Sequence, residues 1–360
     1  MWRTDTIASR PALRGSKRDN MLFQRILAAA CLLMSFAASA QQSLATYTGA
    51  DRQQRLEAAA KKEGSLLLYT TTPTEYVKEL VEPFEKKYGI KVNLWRARSE
   101  AILQRVLSEE RGGRPIVDVV HSISPPMEAL HREGLLQPVA SPHHKDLSPS
   151  AVPAHRAWAS TLQYVFVQAY HTGKVSKDEL PKTYQDLLHP RWKGRLGIES
   201  SDHEWATSII KDMGEEAGTR LFRELVRGNG LSVRTGHPLL TSLTASGEIP
   251  LALTVYQYSV EQAKKKGSPI EWFAIEPAVA IADGMGVAKK APSPNAALLF
   301  YDYMLSPEAQ RIVAKIGYLT TSTKVEPPLK GVRLKVLDAG TLLDEQEKSL
   351  ARFEALLQGK

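Results

Sequence analysis

The stretch Leu66-Leu67-Leu68-Tyr69-Thr70-Thr71-Thr72-Pro73-Thr74-Glu75, continued through an amphipathic run to Gly89 and then Ile90 to Trp95, reads as strand, helix and strand. The run Leu66 to Tyr69 is apolar, short and closed by threonines, as a buried strand is. Thr72, Pro73 and Glu75 fit a capping box, with Thr72 as N-cap and proline at the first helical position. A helix is therefore expected from Pro73, with Val77, Leu80, Val81, Phe84 and Tyr88 on one face, a kink at Pro83 and a stop at Gly89. Open α/β sheets bind ligands beyond the carboxyl ends of such strands, where helix N-termini offer free N–H groups. Thr71 and Thr72 are thus candidate ligand residues; the competing reading leaves them as caps alone.

Working outward, Asp51 and Gln54 mark the start of a short helix ending at Gly64, and Ser99 caps a helix through Ile102, Leu103, Val106 and Leu107. A buried strand at Ile116 to Val120 leads to His121-Ser122 and a helix opened by Ser124-Pro125. Strands alternating with helices predict a mostly parallel, doubly wound α/β sheet. Thr161 to Tyr170 is expected to be a long strand, Arg195 to Glu199 a short one, and Ile249 to Tyr258 a strand followed by a turn. Helices are expected from Asp202, from Glu215 through Val226, and over Pro238 to Ser246. From Ala291 the pattern is helical again: Asn295 to Met304, Pro307 to Ile316, and a last helix near Leu343 to Leu357. Helices of this kind cover an existing sheet, and the first lobe is the expected place for all three.

Met21 to Ala40 has the form of a secretory signal: Arg25, an apolar run Ile26 to Phe36, and Ala38-Ser39-Ala40 before Gln41. Cleavage after Ala40 is expected, with Met21 rather than Met1 as the start, and the product is expected in the periplasm. The apolar run falls short of the roughly 18 to 20 residues that span a membrane. Cys31, the only cysteine, lies inside this signal, so the mature chain has no thiol chemistry. Residues 1–40 hold six Lys/Arg and two Asp/Glu, which leaves +4 of the chain's +8 for the remainder. That mild balance, with lysines gathered at helix ends, argues against nucleic acid as a partner. The remaining 320 residues exceed what one core serves, since chains divide beyond about 250 to 300 residues.

Several segments in order then resemble the periplasmic solute-binding proteins of bacterial ABC importers, in the branch that includes the ferric-ion-binding proteins. They are Phe84 to Val92, Val117-Asp118-Val119-Val120, Pro181 to Leu188, Pro190 to Gly197, Gly247 to Ala252 and Ala291 to Leu305. The resemblance implies two doubly wound lobes joined by a two-strand hinge, the type II periplasmic-binding architecture, with crossings near Thr161 to Tyr170 and Ala274 to Ala282. Lobe 1 would comprise 41–160 and 282–360, and lobe 2 would comprise 161–281. It implies a monomer that closes on a small solute and docks on an inner-membrane permease, with no enzymatic activity and no cofactor. In ferric-binding members a histidine, a glutamate and two adjacent tyrosines hold iron. The corresponding positions here look like Pro73, Ile123 and Gln257-Tyr258, so only Tyr258 matches.

The expected cargo is therefore a small organic anion or a metal chelate, with direct ferric-ion binding through a rearranged site as the alternative. His121, Asp202, His203 and Glu204 are the other oxygen and nitrogen donors available to such a site. The family's anion-holding loop looks like Ser201 to Glu204, and its acidic residues make Arg234-Thr235-Gly236 the better anion grip. Arg98 beside Ser99, with Arg96, would serve from the first lobe. Trp205, Tyr256 and Tyr258 are candidate aromatic walls, whereas Tyr69 reads as core. An exported hydrolase or a ligand-presenting sensor are the competing classes. The cluster Ser200 to Glu204 lacks a nucleophile elbow and a second zinc-motif histidine, and Gly284-Met285-Gly286 lacks the third glycine of a dinucleotide loop.

Overall fold

The computed structural model describes residues 43–360; the signal segment, its cleavage point and Cys31 lie outside the described residues. Leu44–Lys360 forms one compact unit. Its opening is α1 (Arg52–Glu63), β1 (Ser65–Thr70), α2 (Thr74–Tyr88), β2 (Lys91–Arg96), α3 (Ser99–Arg111), β3 (Val119–Ile123) and α4 (Ser124–Arg132). β1 lies between β2 and β3, parallel to both, with Leu66 opposite Val92 and Leu68 opposite Val119. Gly64 and Gly89 end their helices at φ 72° and 69°, a backbone region that a side chain disfavours.

β4 (Ala159–His171) follows, then β5 (Leu196–Glu199), α5 (His203–Met213), α6 (Glu215–Glu224), β6 (Ser232–Arg234), α7 (His237–Ala245), β7 (Leu251–Tyr256), α8 (Gln257–Lys265) and β8 (Ile270–Phe273). β9 (Ala278–Val287), α9 (Pro294–Leu305), α10 (Pro307–Ile316), β10 (Leu319–Thr320), β11 (Leu334–Val336), α11 (Ala339–Asp344) and α12 (Gln346–Leu357) complete it. The first half of β4 pairs antiparallel with β9, and its second half with β7 and β8. The strand order β2-β1-β3-β9-β4-β7-β5-β6 thus joins two half-sheets through one shared strand. Among the described residues no helix is long and apolar enough to cross a membrane.

Three local expectations are corrected. α2 begins at Thr74, because Pro73 has ψ 142° and stands as the N-cap; Thr72 does not cap, and its N–H instead donates to Thr70 Oγ1 at 3.1 Å. Ser99 is the first residue of α3 and not its cap, since Arg98 takes the extended conformation before the helix. The segment after Tyr256 is helix α8, not a turn, which puts Tyr258 in the first helical turn.

A larger correction concerns the C-terminus. α9 packs on α1 and β9, as expected of a helix covering the first half-sheet, but α12 packs on α5 and α6 in the second half. Ser349 Oγ lies 2.9 Å from His203 Nδ1, Arg352 pairs with Glu215 at 2.6 Å, and Phe353 and Leu356 are buried. An apolar stripe states that a helix is covered; which surface covers it is a tertiary matter.

α6 crosses α5 at Gly218, where an added Cβ would stand 2.5 Å from the Ile210 Cα. Backbone cannot yield as a side chain does. Gly218→Ala should therefore destabilise the fold by about 1–3 kcal/mol in urea unfolding. Glu204, in the first turn of α5, has its carboxyl raised by burial from 4.5 to about 8. A raised acid leaves stability intact below its unfolded value, and stability declines as pH climbs from 4.5 through about 8. Glu204→Gln should flatten that decline and raise the melting temperature at pH 8, as a thermal-unfolding series across pH would show.

Candidate functional site

The carboxyl ends of β1 and β2 and the start of α2 face α7 and α8 across a crevice of about 460 Å³. The first half contributes Pro73 to Tyr76 and Arg96; the second contributes Pro238, Thr241, Ser242, Tyr258, Ser259, Gln262 and Lys266. Glu75 is the one carboxylate among these lining residues, against the cations Arg96 and Lys266.

Four tyrosines from four separate segments converge here, Tyr76 and Tyr258 at the crevice and Tyr164 and Tyr318 behind it. Tyr258 from α8 stands 4.2 Å, ring centre to ring centre, from Tyr318, and both lie 6.0 Å edge-on from Tyr76 of α2. Tyr164 of β4 lies 5.9 Å from Tyr258 and 5.7 Å from Tyr318, and its hydroxyl donates to Asp283 Oδ2 at 2.9 Å. Burial raises the phenol pKa of Tyr76 and Tyr258, and raises those of Tyr164 and Tyr318 well above 10. Tyr318 Oη is buried without a hydrogen-bond partner.

The second-half wall is acidic inside. Tyr256 stacks at 4.7 Å on Tyr164 and at 3.9 Å on His237, whose Nε2 lies 3.0 Å from Asp202 Oδ1. Asp202 is raised by its burial, with His237 opposing; in His237 burial works downward, but Asp202 prevails and lifts the imidazole. Glu199 occupies the turn that precedes α7. Its carboxylate accepts from Ser201 N at 2.5 Å, Ser201 Oγ at 2.6 Å and Gly236 N at 2.8 Å. Burial works against ionisation there, yet these donors hold Glu199 below its usual range. Glu199, Asp202 and His237 are close enough to share an ion, although Glu199 already has its lone pairs filled by protein donors.

Of the residues singled out in the sequence, Tyr258 lines the crevice, and Tyr256 and Asp202 lie in the wall behind it. Thr71 and Ser122 hold buried hydroxyls without partners near the strand ends, and Thr72 Oγ1 lies 3.5 Å from His121 Nδ1. Arg98 is exposed beside Glu100, Ser99 opens α3, and Arg96 is the first-half cation that reaches the crevice. Trp205 is core, edge-on to Phe222 at 5.7 Å. Arg234 turns to Val233 O and Glu248, and Thr235 Oγ1 meets Ser200 Oγ at 3.0 Å; neither lines the crevice. His121 is bound to Thr161 at 2.8 Å, and His203 to Ser349. Tyr76, Tyr164, Tyr318, His237 and Glu199 went unread in the sequence. Only a tyrosine count would have flagged the phenols, for no spacing links them.

Residues 66–319 match the family described as bacterial extracellular solute-binding protein. Among curated relatives, "Iron uptake protein A1" of Synechocystis is 27% identical over 70% of this chain and 74% of its own. "Major ferric iron-binding protein" of Neisseria meningitidis serogroup A is 25% identical over 76% and 83%. Iron-bound HitA from Pseudomonas aeruginosa superposes with TM-score 0.72 at 22% identity, covering 81% of this chain and 99% of that one. AfuA from Actinobacillus pleuropneumoniae, with fructose-6-phosphate bound, gives 0.70 at 20% identity, covering 82% and 99%. The fold is that of type II periplasmic binding proteins, two α/β lobes joined by crossing strands, and the chain belongs to the bacterial extracellular solute-binding proteins.

Proposed function

We propose that this chain is the periplasmic receptor of an ABC importer and that its cargo is ferric iron held as a small chelate. The observation that carries the reading is the convergence of Tyr76, Tyr164, Tyr258 and Tyr318 at the crevice, with Tyr76 and Tyr258 on opposite walls. Phenolate and carboxylate oxygens are hard donors and suit a hard, highly charged cation. The crevice supplies Tyr76, Tyr258 and Glu75, fewer than the about six donors such an ion takes. A bound chelator completes the set, and Arg96 and Lys266 offset its carboxylates. The names of the two curated relatives support iron, while Pro73, Ile123 and Gln257 argue against a bare ion.

In this reading the lobes are 43–160 with 282–345, and 161–281 with the C-terminal helix. Cargo touches α2 on one side and α8 on the other, so it favours the closed arrangement over the open one. A permease that accepts the closed form then receives the cargo. An organic anion free of metal is the competing cargo, and Glu199 counts against it at the α7 turn, where a protein carboxylate already fills the anion position.

Ferric citrate added to iron-free protein should develop a visible tyrosinate-to-iron absorption band. Tyr258→Phe, which keeps the ring and drops the oxygen, should lose most of that band and at least about tenfold in affinity. Native mass spectrometry with elemental analysis on protein taken from the periplasm reads the cargo directly, and an organic mass without metal would replace iron. Because the phenols are held protonated by burial, iron must displace protons. Affinity should therefore fall as pH falls, with protons released on binding in unbuffered solution.

A further inference from the structure

We infer that the first half of the fold carries a second ligand site, separate from the crevice, that takes a small polyanion with two or more carboxylate or phosphate groups. The site is a cavity of about 970 Å³ lined from the segments 48–53, 140–145 and 152–156, with Asp51, His143 and His155 outside the lining. It shares no lining residue with the crevice. Arg52, Lys145 and Arg156 line it, with Ser141 and Gln53 between them, and none of the lining residues is acidic. Asp302 pairs with Arg52 from outside this lining, and Asp51 is turned to Tyr47 at 2.5 Å and to Arg55 at 3.7 Å.

Two features of the lining bear on what this cavity takes. Arg52 is 5% exposed; its Nε donates to Leu44 O at 3.0 Å and its Nη1 to Asp302, while its Nη2 has no acceptor. Asp302, whose Oδ1 is also without a partner, thereby neutralises this guanidinium, and Lys145 and Arg156 carry the remaining positive charge of the lining. Arg156 is the only non-glycine with positive φ among the described residues, at 54°. Its backbone is pinned there, the N–H donating to Pro153 O and the carbonyl accepting from Val139, both at 2.9 Å. A left-handed backbone costs a residue with a Cβ about 1–2 kcal/mol that glycine would not lose. Strain kept at a cavity rim points to a use for the side chain. Burial, then Arg156 and Arg52, push the His144 imidazole down to about 4, so it stays neutral and bonds Tyr301 Oη at 2.9 Å.

The test is calorimetric titration of iron-free protein with citrate and, separately, inorganic pyrophosphate, on the wild type and on Arg156→Gly, Lys145→Ala and Tyr258→Phe. Arg156→Gly should raise the melting temperature while weakening at least one probe by about tenfold or more, the loss of a charge-assisted bond. Lys145→Ala should weaken the same probe and leave the melting temperature unchanged. Tyr258→Phe should not alter this binding. Preference for one probe over the other assigns carboxylate or phosphate. Three results would overturn the site: neither probe binding at millimolar concentration, binding that survives both Arg156→Gly and Lys145→Ala, or binding that Tyr258→Phe abolishes, which puts the anion in the crevice.

Discussion

Everything in this fold hangs on β4, a strand that changes partners halfway along its length. Thirteen residues long and buried almost throughout, it gives its first half to β9 and its second to β7 and β8. Backbone donors and acceptors that lose a strand neighbour inside a protein must find another partner. Buried glutamines supply it. Gln168 accepts from Ile275 N at 2.8 Å and donates to Leu253 O at 3.2 Å, next to the register shift between Val167 and Ala169. Gln310 donates to Thr161 O at 2.8 Å and accepts from Thr321 N at 3.2 Å, beside the shift between Ser160 and Leu162. Apolar residues at these two positions would leave the switch-over unsatisfied.

The same strand explains why the crevice sits where it does. β1 and β3 end on one side of β4, while β5 and β7 end on the other, so helix starts and strand ends of both halves face each other. Tyr164 lies within the shared strand and touches rings from both sides, Tyr256 and Tyr258 in the second half and Tyr318 beyond α10. A rearrangement of the walls must therefore repack a shared aromatic cluster. Packed interiors favour a few discrete arrangements over continuous deformation.

Local physics made much of this visible beforehand. Leu66 to Trp95 read as strand, helix and strand because both periods are short-range, and Gly64 and Gly89 ended their helices as glycines do. The errors came where one dihedral or one distant surface decides. Pro73 in an extended conformation moved the cap by a residue, and the stripe of α12 did not disclose that α5 and α6 would cover it. The site was harder still. Tyr258 was found through resemblance, but Tyr76, Tyr164 and Tyr318 belong together only in three dimensions. Arg234 looked like an anion grip since nothing in its neighbourhood of sequence shows that Glu199, thirty-five residues earlier, fills the turn beside it.

That carboxylate has a further consequence. Glu199 ends β5, the strand paired with the one that leads into the α7 turn, so it competes for the Ser201 and Gly236 donors as an intramolecular ligand. Tethered groups of this kind act at effective concentrations of order millimolar or more, above those of most free solutes. A protein that carries its own counter-anion disfavours at that turn the phosphate and sulfate of its surroundings, which must displace a tethered carboxylate to bind there.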